Sequence, residues 1–435
     1  MRNMAASRVR HWVLLLTFLT SFIMYMDRVC MGSAAPSIMA EFHINKVTMG
    51  GAASAFNWAY ALFQVPGGWM ADRFGPRIVL AGAMAWWSLF TIGTGFSFSA
   101  SSLALTQWFF GMGEAAAFPA ASRALVRWLP GSRRAFGQGF QHAGSRLGAA
   151  VTPPLVIYLI RNLGWHWVFY IMGIVGIPWA VLWYLYYRNY PQQHRGVNEQ
   201  ELAILGAAGA AGKPQKAVKV PWRRILRSSN LWALCSMYFC YGWVLWVYLF
   251  WFPTYLVEAR HFSRAQLGLA ASSPLIAAVL TNVLGGWISD KLAHRWGDLR
   301  RGRIFVSILG FLLAGFMLIP GAMVSSVSAG LTCLTIAMAG LELTVAVSWA
   351  ICLDIGGDFA GSVSATMNML GNIGGALSPL VIGYLATRFG WNSALLLASG
   401  MCIAAALIAT RIDPNRSAVA AGAVEPAALA PQLTR

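Results

Sequence analysis

Five ionisable residues stand inside otherwise apolar runs of this sequence: Asp27, Arg28, Glu114, Arg146 and Glu342. A charge at the centre of a membrane-spanning helix costs about 2.5–3.5 kcal/mol, so the five would cost roughly 13–17 kcal/mol if unpaired. Pairing and water must offset most of that. The chemistry open to the set is proton exchange at the carboxyls and anion capture at the guanidiniums. Asp27 and Arg28 are adjacent, so on a helix they point about 100° apart and make a poor pair with each other. One can face a ligand while the other faces a neighbouring helix. Glu114 closes the run Gly111-Met112-Gly113-Glu114, where small residues let helices approach closely. Coupling to protons needs carboxyls that change protonation within a cycle, and Asp27 and Glu114 are expected to do so. The planar fork of arginine binds a carboxylate through two N–H groups, which makes Arg28 the expected anion contact.

Arg146 follows His142 by one helical turn. Three roles are open to it: a second cation for the anion, a partner of Glu114, or a partner of Glu342. Glu342 is correspondingly either a second proton site or the partner of Arg146. Uncharged polar residues extend the candidate pocket. Asn57 lies one turn before Tyr60. Ser364, Asn368 and Asn372 recur every four residues and form one polar stripe. Amides at that spacing suit the hydroxyls of a sugar acid; the alternative is hydrogen bonding between helices, worth about 0.6 kcal/mol each. Tyr241, in the aromatic-rich stretch 238–251, is a further pocket candidate.

No nucleophile–base set, phosphate loop or metal motif is present in the sequence, so neither an enzyme nor a cofactor is expected. His142 is the one histidine well inside an apolar run. The six cysteines, Cys30, Cys235, Cys240, Cys333, Cys352 and Cys402, form no CxxC pair, which argues against a disulfide framework or a zinc site.

These residues need long apolar elements to hold them. The chain has 435 residues, 58% hydrophobic and 11% charged, with a mean hydropathy of +0.59. Soluble domains carry about 25% charged residues, so an ordinary soluble protein and a disordered chain are both excluded. Twelve apolar runs are predicted as membrane-spanning helices, because helices and closed barrels alone satisfy the backbone in lipid. They cover 11–32, 49–70, 78–97, 102–123, 136–160 and 166–187, then 230–256, 266–289, 303–321, 329–352, 360–386 and 391–411. Arg8 and Arg10 ahead of the first run, with Ser33-Ala34-Ala35 after it, have the look of a cleaved leader. Asp27 and Arg28 interrupt that run and eleven spans follow, so a first span is expected instead.

The net charge of +18 does not indicate nucleic acid, because the basic residues are scattered between the runs. Of the 32 Lys and Arg, 25 fall in the tails and loops on the side of the N-terminus and 5 on the other side; Arg28 and Arg146 lie within spans. Positive charge concentrates in cytoplasmic loops. Both termini are therefore expected in the cytoplasm of a bacterial-type inner membrane. The predicted organisation is an N-terminal six-helix half over 1–187, a cytoplasmic connecting loop over 188–229, a C-terminal half over 230–411, and an Ala/Pro-rich disordered tail over 412–435.

The two halves echo each other. Gly67-Gly68-Trp69-Met70-Ala71-Asp72-Arg73 ends the second run, and Gly285-Gly286-Trp287-Ile288-Ser289-Asp290-Lys291 ends the eighth, 218 residues later. Pro154-Leu155-Val156-Ile157 and Pro379-Leu380-Val381-Ile382 form a second echo, each followed by Gly-Trp, at 164–165 and 390–391. Two half-chains repeated in the same orientation match the parallel repeats of one large transporter class. In each GGW segment the glycines permit close helix approach, and Asp72 stands where a new helix begins. Gly67, Asp72, Arg73 and Asp290 are expected to act as a conformational latch.

The segment Gly67–Arg77 resembles the signature loop of the Major Facilitator Superfamily. Tyr25-Met26-Asp27-Arg28, the stretches 111–120 and 367–375, and Gly164-Trp165-His166-Trp167-Val168-Phe169-Tyr170 resemble its anion:cation symporter family. The likeness covers about residues 11–411. It implies an all-α fold of twelve spans in two pseudo-symmetric halves, proton-driven uptake of a small organic anion such as a sugar acid, and a monomer surrounded by lipid. It assigns proton coupling to Asp27 and Glu114 and substrate contact to Tyr25 and Tyr60. One departure stands out: relatives commonly carry an arginine seven residues before the fourth-span glutamate, where this chain has Gln107. Arg146 is the expected replacement. An exporter of the same superfamily, or a carrier of aromatic or other carboxylates, is the alternative.

Overall fold

The computed structural model describes residues 6–130, 134–205, 221–356 and 359–418. The described chain is helical, and no strand occurs among the described residues. In chain order the helices of the first half are α1 (Val9–Phe42), α2 (Lys46–Phe74), α3 (Pro76–Gly95), α4 (Ala100–Glu114), α5 (Ala117–Trp128), α6 (Arg134–Leu163) and α7 (Trp165–Tyr186). The short α8 (Glu199–Leu205) and α9 (Trp222–Ile225) follow. The second half contains α10 (Ser229–Trp246), a π-helical segment (Val247–Trp251), α11 (Phe252–Glu258), α12 (Arg264–Trp296), α13 (Leu299–Met323), α14 (Val327–Gly356), α15 (Ala360–Arg388) and α16 (Gly390–Ala409).

Helix starts follow local chemistry. Asn45 accepts a hydrogen bond from the Thr48 amide at the head of α2, Ser99 and Ser102 form a capping box at α4, and Asp298 caps α13. In both Gly-Trp echoes the glycine takes a left-handed φ, 91° at Gly164 and 81° at Gly390, a conformation that glycine adopts without strain. These corners turn the chain into α7 and α16.

Ten helices among the described residues are long and apolar enough to cross a membrane. The remaining two predicted spans are α2 and the α4/α5 pair. At 1.5 Å per residue, the 29 residues of α2 reach about 43 Å. It packs against α4 and α15. The fourth span is broken: α4 ends at Glu114, and α5 resumes at Ala117. The seventh is interrupted by the five-residue π-helical segment, a feature that often marks a functional position.

The repeat governs the packing. In the first half α1 lies on α6, α2 on α4 and α3 on α7; in the second, α10 lies on α15, α12 on α14 and α13 on α16. The halves meet through α2 against α15 and α6 against α12, again a symmetric pair of contacts. Equivalent glycines make equivalent approaches: Gly148 of α6 abuts the Phe22 carbonyl of α1, and Gly374 of α15 abuts the Phe239 carbonyl of α10. On the side away from the termini the halves close tightly. Gly50 meets the Pro379 carbonyl, Gly32 meets the Leu249 carbonyl, and Lys46 pairs with Glu258 at 2.7 Å.

Two connecting regions are more structured than composition suggests. In the loop between halves, the fully buried Glu201 of α8 caps the start of α1. It accepts from Ser7 Oγ at 2.5 Å, from the Arg10 amide at 2.9 Å and from the Val9 amide at 3.2 Å. Beyond α16, Asn230 donates to the carbonyls of Asp413 and Arg416, and the Ala418 amide donates to the Ile355 carbonyl. These bonds hold residues 412–418, which the sequence places in the tail. Residues 206–220 and 419–435, the remainder of the expected loop and tail, lie outside the described residues.

Candidate functional site

The five intramembrane charges resolve into two ion pairs and one unpartnered carboxyl. Arg28 Nε of α1 lies 2.7 Å from Glu114 Oε2, at the last residue of α4. The α4/α5 break therefore coincides with the glutamate. Arg28 is also stacked by aromatics, its guanidinium carbon 4.6 Å from the Tyr60 ring centroid, 4.9 Å from Tyr25 and 5.1 Å from Phe56. Rings at these distances attract a cation. Its Nη2 has no hydrogen-bond partner, so one prong of the fork is uncommitted.

Asp27 points elsewhere. Both carboxylate oxygens are buried without a hydrogen-bond partner. The Trp87 indole N–H of α3, also unpartnered, faces it without closing a hydrogen bond. The helical divergence of neighbouring residues has separated Asp27 from Arg28 as expected.

The second pair crosses the halves. Arg146 Nε of α6 lies 2.9 Å from Glu342 Oε2 of α14. Arg146 Nη2 donates to the Tyr241 hydroxyl of α10 at 3.1 Å, and that hydroxyl donates to Glu342 Oε1 at 2.8 Å. Asn282 of α12 donates to Glu342 Oε2 at 3.0 Å. Of the three roles the sequence leaves open for Arg146, pairing with Glu342 is the one adopted here. Tyr25 joins the two centres, with the Arg146 guanidinium carbon 5.7 Å from its ring.

The remaining candidates fall around these pairs unequally. Gln107 donates to Thr94 Oγ1 of α3 at 3.2 Å and lines a small cavity with Arg28, Phe56, Phe110, Trp246 and Phe250. Its volume, about 10 Å³, suffices for about one water. Asn57 donates to the Gly375 carbonyl at 3.2 Å, tying α2 to α15. Asn372 donates to the Asn368 carbonyl of its own helix at 2.7 Å. No hydrogen bond joins this pair to either arginine among the described residues. The α15 stripe instead lies behind Gly371, which packs on the Tyr238 ring; that ring stacks on Tyr241 at 4.8 Å.

At the expected latch, a Cβ at Gly67 would stand 2.7 Å from the Ala116 Cα, within the α4/α5 break. Gly285 abuts the Leu343 carbonyl, next to Glu342. Each repeated glycine therefore seats its helix beside a buried glutamate. Arg73 packs over Trp69 and Phe74 of its own helix, at 5.3 and 5.7 Å. The Asp72 side chain lies outside the described residues. Asp290 pairs with Arg303 of α13 at 2.5 Å, and Arg303 also reaches Asp354 of α14 at 3.2 Å, so one arginine ties three helices together.

Asn282 and Trp87 were not legible as site residues. Asn282 lies three residues before the GGW segment in an apolar run, and Trp87 is one of 20 tryptophans. Nothing in their local sequence sets them apart.

A helical bundle with an internal twofold repeat and charge pairs at its centre is the architecture of a secondary transporter, not of an enzyme. The chain belongs to the Major Facilitator Superfamily, whose family model matches residues 17–379. It is 38% identical to a probable sulfoacetate transporter of Cupriavidus necator, over 93% of each chain. It is 32% identical to the D-galactonate transporter of Escherichia coli, over 92% of this chain and 94% of that one. The hexuronate transporter of Bacillus subtilis is 29% identical, over 92% and 93%. The fold matches the crystal structure of a bacterial homologue of the human lysosomal transporter Spinster, inward-facing and occupied. There the TM-score is 0.76 with 17% identity, over 94% of this chain and 98% of that one.

Proposed function

We propose that this protein imports a small organic anion together with protons by alternating access between its two halves. The substrate class is a sugar acid or a comparably small carboxylate or sulfonate, the kinds of solute named for its relatives. Both termini lie in the cytoplasm of a bacterial inner membrane, in keeping with the charge bias of the loops. The protein works as a monomer.

The observation that carries this reading is the pair of buried arginines flanking Tyr25, each neutralised by a glutamate. Protonation of Glu114 releases Arg28 to an incoming anion, and arginine, always charged, cannot answer by losing its own proton. Asp27, buried without a hydrogen-bond partner, is the second coupling carboxyl. Arg146 supplies the cation missing at Gln107. Tyr25, Tyr60, Asn57 and Tyr241 surround the anion, and Asn368 and Asn372 enter the pocket when the halves rock. The GGW segments, with Gly67, Asp72, Arg73 and Asp290, hold the cytoplasmic ends together in one state and part in the other.

The test is uptake by proteoliposomes under imposed pH gradients, with a panel of aldonates, hexuronates, aldarates and sulfoacetate. Accumulation of one anion driven by an inward proton gradient, and its collapse with a protonophore, is the expected result. Outward movement, or uptake indifferent to the gradient, would replace this reading with an exporter or a uniporter.

A further inference from the structure

The two ion pairs differ in one respect that bears on the cycle. Arg28 and Glu114 sit on α1 and α4, within one half, and can stay together while the halves rock. Arg146 sits on α6 in the first half, and its partners Glu342 and Tyr241 sit in the second, as does Asn282, which donates to Glu342. Any motion that parts the halves at this level must break that bridge. Both partners are buried, and a buried charge stripped of its partner is strongly destabilising. Arg146 cannot shed its proton, so an anionic group must take the place of Glu342. Glu342 in turn must lose its charge, and a proton is the means available.

We infer that Glu342 is a further coupling carboxyl, and that Arg146 is a second anion subsite which makes the transporter selective for short dianions. This rests on the proposed anion import and deepens it. The charges balance: two arginines facing two glutamates become two arginines facing a dianion, with one proton on each glutamate. The spacing favours a short substrate. Tyr25 lies 4.9 Å from one guanidinium carbon and 5.7 Å from the other, so the two carbons stand at most 10.6 Å apart. An acidic head docks roughly 4 Å from a guanidinium carbon in a bidentate pair. Along the line between the carbons that leaves at most about 2.6 Å between two docked heads, which suits a linker of one carbon, with the Tyr25 ring turning aside to admit it. A sugar monoacid would fill Arg28 and leave Arg146 bridged to Glu342, so the halves would stay tied.

Among the described residues the groups facing Glu342 are few. Arg146 comes from α6, Tyr241 and Tyr238 from α10, and Asn282 from α12. On the α13 side the helices meet through Gly310 and Gly340. His142 lies one turn from Arg146 and against Trp349 of α14, at 5.6 Å between rings.

The experiment uses the full chain in proteoliposomes with the membrane potential clamped at zero. It compares sulfoacetate, a short dianion, with galactonate, a monoanion. The wild type should favour sulfoacetate. Each coupled proton multiplies accumulation about tenfold per unit of pH gradient, so Glu342→Gln should still bind sulfoacetate but accumulate it about tenfold less per pH unit. Unchanged accumulation by Glu342→Gln overturns the inference. The double variant Arg146→Gln/Glu342→Gln removes both charges together and covers the case of a single variant that does not fold. It should lose its dianion preference by about tenfold or more; an unchanged preference overturns the second subsite. Absence of proton-driven uptake of any anion by the wild type would instead remove the import reading on which this inference rests.

Discussion

Arg146 and Glu342 lie 2.9 Å apart across the interface between the two halves, and the glutamate is fully buried. Removing one partner of such a pair costs about 3–5 kcal/mol, because the other charge is left buried, whereas replacing both by apolar residues is often neutral or stabilising. Arg146→Ala should therefore lower the thermal unfolding temperature of the purified protein in detergent, and Arg146→Met/Glu342→Leu should restore it or raise it above wild type. Equal unfolding temperatures for Arg146→Ala and the wild type would show that the bridge does not hold the halves.

Glu114 and Arg28 give a different signature because both belong to the first half. Glu114→Gln keeps the shape of the carboxyl and removes its titration. The expected outcome is loss of proton-driven accumulation, by about tenfold per unit of imposed pH gradient, while exchange of labelled for unlabelled substrate at equal pH persists. A variant that accumulates at the wild-type level would take Glu114 out of the coupling step.

The repeated glycines offer a test with internal controls. A Cβ at Gly67 would fall 2.7 Å from the Ala116 backbone, whereas one at Gly68 would meet Pro119 Cβ at an ordinary 3.8 Å. Overpacking of this kind costs about 1–3 kcal/mol. Gly67→Ala should lose stability by that amount and slow transport, with Gly285→Ala, set against Leu343, behaving alike. Gly68→Ala should match the wild type or gain slightly, since alanine favours the helix. Unfolding temperatures and initial uptake rates of the three variants decide the matter.

What could be read from sequence divides along physical lines. The spans, the repeat and the parting of Asp27 from Arg28 follow from hydropathy and helical periodicity, which are local. The GGW glycines announced a close approach, though the helix they approach depends on tertiary packing. Partner choice was not legible for Arg146, because Glu114 and Glu342 are equally plausible until the halves are docked. The break after Glu114 has a local cause: Pro119 has no N–H to donate to the Ala115 carbonyl four residues back, and its ring crowds that carbonyl, so the hydrogen-bond ladder is interrupted although Ala115-Ala116-Ala117 are strong helix formers and stay in the helical region. Asn368 and Asn372 share a face as their spacing requires, yet the Asn372 amide is spent on the Asn368 carbonyl of its own helix. The π-helical segment at Val247–Trp251 lies in an aromatic run whose pattern resembles that of an ordinary span.

The side opposite the termini carries the last prediction. Lys46 at the head of α2 donates to Glu258 at the end of α11 at 2.7 Å, and Trp391 of α16 donates to the same carboxylate oxygen at 3.0 Å. The pair is partly exposed, so its stabilising effect should be about 0.2–1 kcal/mol, which corresponds to a shift of roughly one-and-a-half- to fivefold between conformations. Because it joins the halves where they close, weakening it should favour opening on this side without unfolding the protein. Lys46→Glu sets like charges against each other and should lengthen the distance between spin labels at Thr48 and Tyr384, with the native cysteines replaced. The charge swap Lys46→Glu/Glu258→Lys should return the wild-type distribution. If Lys46→Glu leaves that distribution unchanged, closure here depends on the close backbone contacts at Gly32, Gly50, Gly268 and Gly383, and the ion pair is incidental to alternating access.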